Sequence, residues 1–254
     1  MDRLAFNAAA FINESRVSRQ MTMNELSNVS TPGFKRSFEG TLRTVKAEGS
    51  GFESRMQPQA FNTDQIKMTP GTMMLTGRDL DIALNDQAVL GVSAADGTLA
   101  FTRRGDLRLN SRGVLETGTG AIVRGQGGGP ITIPPGFRVT INTDGSVYAA
   151  NPAQAGVAAP LLIDRLMMRD ASNTPLERRE DGLYQVVNKD PGTDIPAGTN
   201  LLTLTPKTLE GSNVNAMEVM IKLMDQSRSF EQAINVIKQT KDADESGATM
   251  MKPT

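Results

Sequence analysis

Leu209-Glu210-Gly211-Ser212-Asn213-Val214-Asn215 decides the fold, because it closes a long β-like region and opens a helix. Asn215 can cap the first free amides, and Glu218 completes a capping box. Beyond it Met220, Leu223, Ser227, Phe230, Ile234 and Ile237 recur at alternating spacings of three and four, which predicts a coiled-coil-like seam. Met217, Ile221 and Met224 widen the stripe early on, and Glu218 precedes Lys222 in the favourable i, i+4 order. Gly247 predicts the end of this helix, so that 208–247 is the C-terminal helical segment and 248–254 a tail.

The other end of the chain has the same character. From Asp2 to about Val29 there is neither proline nor glycine, and Leu4, Ala8, Phe11, Ile12, Ser15, Leu26 and Val29 fall on one helical face. That face is thin and Arg19 intrudes, so the helix buries little on one neighbour and is expected to be shared among several. Asn28-Val29-Ser30-Thr31-Pro32-Gly33-Phe34-Lys35 ends it, since Pro32 disfavours helix at Thr31. Pro32 and Gly33 read equally well as a device that sets the exit angle and as a routine helix stop.

Residues 34–77 mix Gly49, Gly51, Pro58, Pro70 and Gly71 with polar residues and show no sustained period. Composition favours a flexible linker. The alternative is an extended arm whose Phe38, Phe52, Met56, Phe61, Ile66 and Met68 dock on a neighbouring subunit, and these apolar residues are too many for a pure linker. Residues 78–207 then alternate short apolar runs with turn signals, as an all-β domain does. Asp96-Gly97, Asn110-Ser111-Arg112-Gly113 and Asn142-Thr143-Asp144-Gly145 are the hairpin signals. The fold expected is α+β: an all-β middle domain inserted between long N- and C-terminal helices that pair in a coiled-coil-like bundle.

Composition narrows function. The 254 residues carry a net charge of −1 and no histidine, cysteine or tryptophan, which removes Ser-His-Asp and Cys-His catalysis and the common nitrogen and sulfur metal sites. Aromatic residues are 4% against 14 methionines, so the apolar surface is adaptable, as suits an interface with several neighbours. Leu4 to Ile12 reads as helix and not as a signal peptide, and no apolar run reaches the length of a membrane span. No nucleic-acid partner, small-molecule substrate, cofactor or metal is expected.

Asn24-Glu25-Leu26-Ser27-Asn28-Val29-Ser30-Thr31-Pro32-Gly33-Phe34-Lys35 resembles the end of the N-terminal helix in the flagellar axial proteins, the bacterial rod and hook subunits. Leu209 to Asn215 resembles the start of that family's C-terminal helix, and Gly77-Arg78-Asp79-Leu80-Asp81-Ile82-Ala83-Leu84 is similar to the entry into its middle domain. Asn28, Pro32, Gly33, Phe34, Ser212, Asn213 and Val214 carry the family pattern, while Glu25, Ser27 and Ala88-Val89-Leu90 depart from it. Chain length and the form of the last motif look most like the proximal rod branch, with the distal rod branch as close competitor.

The resemblance implies a subunit exported unfolded through the flagellar export apparatus without a cleaved signal and built into a tube in the periplasm. Its partners would be copies of itself and other rod proteins, with terminal helices lining the inner tube and the β domain outward. The polymerisation interface expected is Leu4, Ala8, Phe11, Ile12, Leu26 and Val29 on the first helix. On the second it is Met217, Met220, Ile221, Leu223, Met224, Phe230, Ile234 and Ile237.

Two other classes compete. An enzyme would have to use Asp79 and Asp81 or Glu116 as paired carboxylates, although Asp81 reads as outward on a strand and Asp79 as a turn residue. Gly125-Gln126-Gly127-Gly128-Gly129-Pro130 lacks the lysine and hydroxyl of a phosphate-binding loop and reads as a turn. A monomeric β-domain adhesin would stay folded end to end and bind a ligand.

Overall fold

The computed structural model describes residues 2–38, 41–46, 56–61, 65–152, 159–196 and 201–250, with side chains at 2–5, 41–44, 46 and 56–61 outside the description. Phe52 and the side chains of Leu4, Met56 and Phe61 therefore lie outside the described set. The chain forms two units. One comprises Met1–Asn28, Glu39–Thr63 and Asn215–Thr254; the other comprises Val29–Phe38 and Asp64–Val214.

The first unit holds α1 (Asp2–Ser27), the hairpin strands β1 (Thr41–Lys46) and β2 (Met56–Phe61), and a second helix, α2 (Ala216–Met250). β1 and β2 pair antiparallel from Thr41 opposite Phe61 to Lys46 opposite Met56, and β2 lies against α1. The Asn215 side chain caps α2, accepting from the amides of Met217 at 3.0 Å and Glu218 at 3.4 Å. The helix does not stop at Gly247. It runs to Met250, so Gly247 sits as an ordinary helical residue and costs only propensity.

The coiled-coil-like bundle is not what forms. The described residues contain two helices, and their contact is polar: Gln226 Nε2 donates to Ser18 Oγ and Thr22 Oγ1, each at 3.1 Å. Arg19 donates to the Gln226 carbonyl at 3.3 Å and lies 5.2 Å over the Phe230 ring. On α2 only Val219, Ala233 and Thr240 are buried, while Met220 is exposed and Leu223, Phe230, Ile234 and Ile237 are half-buried. The physical reason is on α1, which faces its partner with Ser18, Arg19 and Thr22; polar side chains make no apolar holes for knobs to enter.

The second unit carries the other strands: β3 (Met73–Leu75), β4 (Ile82–Leu84), β5 (Ala88–Ser93), β6 (Leu99–Thr102), β7 (Leu107–Leu109), β8 (Leu115–Thr117) and β9 (Ile122–Val123). They continue with β10 (Arg138–Ile141), β11 (Ser146–Ala150), β12 (Leu161–Arg165), β13 (Met168–Asp170) and β14 (Leu176–Arg178). Last come β15 (Tyr184–Val186), β16 (Leu204–Pro206) and β17 (Thr208–Glu210). The largest sheet runs β14-β15-β6-β5-β9-β8-β7 with β13 also on β5; a second runs β10-β11-β12; β16 pairs β4 and β17 pairs β3.

One loop chemistry builds most of these hairpins. Ala94–Thr98, Asn110–Val114, Thr117–Ala121, Asn142–Ser146 and Arg179–Leu183 each close with the first residue's amide on the last residue's carbonyl. The fourth residue, a glycine with φ between 74° and 91°, donates back to the first carbonyl. That is the three-residue hairpin loop, in which only glycine enters the left-handed region without strain. Gly125–Gly129 closes the same way, so the glycine-rich run is a turn.

The core of this unit has two layers. Leu90, Val92, Leu107, Leu115, Ile131, Val147 and Leu166 belong to one cluster, and Val89, Phe101, Met167, Leu176 and Tyr184 to the other. β5 lies between them, sending Ala88, Leu90 and Val92 to the first and Val89 to the second. This explains its unbroken apolar sequence, since a strand covered on both faces has no outward side.

Candidate functional site

Glu210 is the last residue of β17 and its side chain is completely buried. An isolated buried carboxylate would be expelled or neutralised, so its partners decide whether it can exist there. Each oxygen has two donors. Oε1 accepts from Lys35 Nζ at 2.6 Å and the Gly71 amide at 2.9 Å, and Oε2 accepts from Arg103 Nε at 2.8 Å and Nη2 at 2.6 Å.

Both cations are as deep as the carboxylate, with Lys35 at 0% and Arg103 at 1% side-chain exposure. Arg103 spends its remaining donors on the carbonyls of Asp86, Ala88 and Leu84, each at 2.8 Å, so all five N–H groups are satisfied. Lys35 also donates to the Thr69 carbonyl at 2.8 Å. Burial holds the Lys35 amine below the usual lysine range, against the pull of Glu210 and with help from the Arg103 charge.

Around this triad the two motifs read from the sequence are bonded to each other. The Gly33 amide donates to the Glu210 carbonyl at 2.7 Å, and the Asn213 amide to the Phe34 carbonyl at 3.3 Å. The Asn213 side chain accepts from the Arg36 amide at 2.7 Å and donates to the carbonyls of Lys67 at 2.8 Å and Thr69 at 3.2 Å. Gly211 donates to the Thr72 carbonyl at 2.7 Å, and Ser212 Oγ accepts from the Val214 amide at 3.2 Å. The Arg178 guanidinium stacks 4.3 Å over the Phe34 ring and donates to the Lys35 carbonyl. Buried Tyr184 donates to the Gly33 carbonyl at 3.2 Å, and burial pushes its hydroxyl up to about 12.

The family-pattern residues Gly33, Phe34, Ser212, Asn213 and Val214 thus meet in this clasp, Pro32 is half-buried beside them, and Asn28 hydrogen-bonds the Asn24 carbonyl at 2.9 Å within the first unit. Sequence reading missed the roles of Lys35, Arg103 and Glu210. For Lys35 and Glu210 the available signal was a charged residue inside a motif, with nothing in its period to set it apart from a solvated one, and Arg103 lay outside every motif.

The interface residues predicted from sequence are distributed differently. Ala8 is buried, while Phe11, Ile12, Leu26 and Val29 are half-buried. Met217, Met220, Ile221 and Met224 stand 68%, 48%, 52% and 54% exposed, one turn after another along α2.

The carboxylates weighed as catalytic are engaged in ion pairs. Asp79 accepts from Arg138 at 2.8 Å and faces Lys207 at 3.2 Å, and these bonds, Arg138 first, hold its carboxyl below the usual range. Glu116 meets Arg108 at 2.7 Å. Asp81 is not outward as its alternation predicts; it is 1% exposed beside Arg78 at 3.4 Å, because β4 and its approach are covered on both faces. Among the described residues no group of acidic, histidine or cysteine side chains could hold a metal ion, and no helix is long and apolar enough to cross a membrane.

Two family models match the regions that build this architecture: the flagellar hook protein FlgE/F/G D1 domain over residues 83–149 and the flagellar basal body rod FlgEFG protein C-terminal region over residues 205–250. The first contains Arg103 and the second Glu210, so fold and clasp together define the class of flagellar hook and rod subunits. FlgF of Escherichia coli K12 is 34% identical over 245 residues, covering 95% of each chain, and FlgF of Salmonella typhimurium is 34% identical over 241 residues, covering 93% of each. FlgG of Buchnera aphidicola subsp. Baizongia pistaciae is 26% identical over 238 residues, covering 87% of this chain and 88% of its own. The chain belongs to the flagellar basal-body rod protein family, is most like FlgF within it, and is a structural subunit.

Proposed function

We propose that this subunit joins the periplasmic rod through the exposed apolar faces of its terminal helices, meeting copies of itself and other rod proteins, and transmits torque along the assembled shaft. The observation that carries this reading is the row Met217, Met220, Ile221 and Met224, four large apolar side chains left about half exposed or more on one helix. Isolated exposed methionines need no explanation, but a contiguous apolar stripe on a long helix is a surface that a partner covers. Flexible methionines suit neighbours that differ in detail. Leu4, Ala8, Phe11, Ile12, Leu26 and Val29 on and after α1, with Leu223, Phe230, Ile234 and Ile237 on α2, complete the proposed interface.

In this proposal the subunit has a structural role without catalysis, in keeping with the basal-body rod proteins it resembles. Passage through the flagellar export apparatus completes the reading.

Met220→Asp and Ile221→Asp test it, because both side chains are exposed and their replacement is expected to leave each unit folded. Circular dichroism of the purified variant should match the parent, while incorporation into basal bodies and swimming in soft agar should be lost. A variant that assembles and swims normally would remove the stripe from the interface.

A further inference from the structure

The clasp places one buried carboxylate between two buried cations, so Glu210 is the anion with which both Lys35 and Arg103 are paired. We propose that Glu210 is a latch that makes the ordering of residues 33–36 conditional on the pairing of β17 with β3, so that the two motifs are seated together or not at all.

The argument starts from cost. Withdrawing an ion from water is costly, and breaking a buried pair leaves the surviving charge without compensation. Without Glu210, Lys35 and Arg103 would face one another with no anion between them. Arg103 would still have the carbonyls of Leu84, Asp86 and Ala88, and it directly follows β6, which is paired along its length with β5. Lys35 would keep only the Thr69 carbonyl, in a loop that can move out to water. The N-terminal motif is therefore the part that yields.

Backbone geometry ties the same residues in the other direction. Gly33 donates to the Glu210 carbonyl, and Gly71 donates to its side chain. β17 cannot leave β3 without opening the bonds that hold residues 33 and 71, and residues 33–36 cannot leave without taking from the buried carboxylate one of the two donors to its Oε1. Glu210 thus belongs to both contacts at once, which is the requirement for coupling two local ordering steps.

Amide hydrogen exchange on the full chain reads this directly. In Glu210→Gln the amides of Gly33, Arg36, Gly71 and Gly211 should exchange on the order of 100-fold faster and by a common factor. The Gly91 amide, which donates to the Met167 carbonyl in the core, should keep its parental protection. Should that variant fail to fold, Lys35→Met keeps the Arg103–Glu210 pair and serves as the second probe. The latch predicts that Gly211, which Lys35 does not touch, loosens together with Gly33. Acceleration at Gly33 and Arg36 with Gly211 unchanged, in either variant, would overturn the proposal.

Discussion

Gly33 shows how one residue can be fixed by its surroundings rather than by its own chemistry. Its φ is +69°, and a Cβ built there would stand 2.4 Å from the Arg103 carbonyl oxygen, so both conformation and space demand glycine. Gly33→Ala should cost about 1–3 kcal/mol or more in denaturant unfolding of the β unit. Tyr184 caps the carbonyl of Gly33 itself from the core. Its folded pKa, about 12, is raised above the ordinary 10.0, so the stability it contributes is complete below pH 10 and declines as pH climbs through that window. Tyr184→Phe should remove that alkaline decline and cost about 1 kcal/mol near neutrality, which unfolding curves at stepped pH would measure. At this scale the sequence was least informative. Lys35, Asp81, Arg103 and Glu210 look like surface charges in a string of letters, and only three-dimensional closure reveals them as buried.

Elements were more legible where local chemistry dictates them. Asp96-Gly97, Asn110 to Gly113 and Asn142 to Gly145 announced their hairpins because glycine at the left-handed position is nearly obligatory there. The Asn215 cap was equally readable. The pairing of α1 with α2 was not, because a stripe on α2 says nothing about what α1 presents, and α1 presents Ser18, Arg19 and Thr22. Hairpin turns also carry a pH signature. Asp96 accepts from the Thr98 hydroxyl and amide and from Arg179, which bring its carboxyl down to about 2 from 3.8. A depressed folded pKa contributes stability above pH 3.8 that is lost as pH falls toward 2. Asp96→Asn should therefore flatten the acid limb of the stability profile by lowering stability at neutral pH, with little change below about pH 2. For the doubly covered strand β5, Leu90→Ala should cost about 2–5 kcal/mol, read from the denaturant midpoint.

For the whole molecule the two units differ in what sustains them. Among the described side chains, the buried apolar residues of the helical unit are Ala8, Val219 and Ala233, whereas the β unit owns both core clusters. Calorimetry on dilute protein should show the helical unit melting first and the β unit at higher temperature, and one cooperative transition would contradict this. The clasp adds a mechanical consequence. Residues 33–36 and 210–213, near where the backbone first enters and finally quits the β unit, are bonded directly to each other. Tension applied between residues 29 and 214 is then borne by that short span of amides and by the Lys35–Glu210–Arg103 ions, and the sheets behind it are spared the strain.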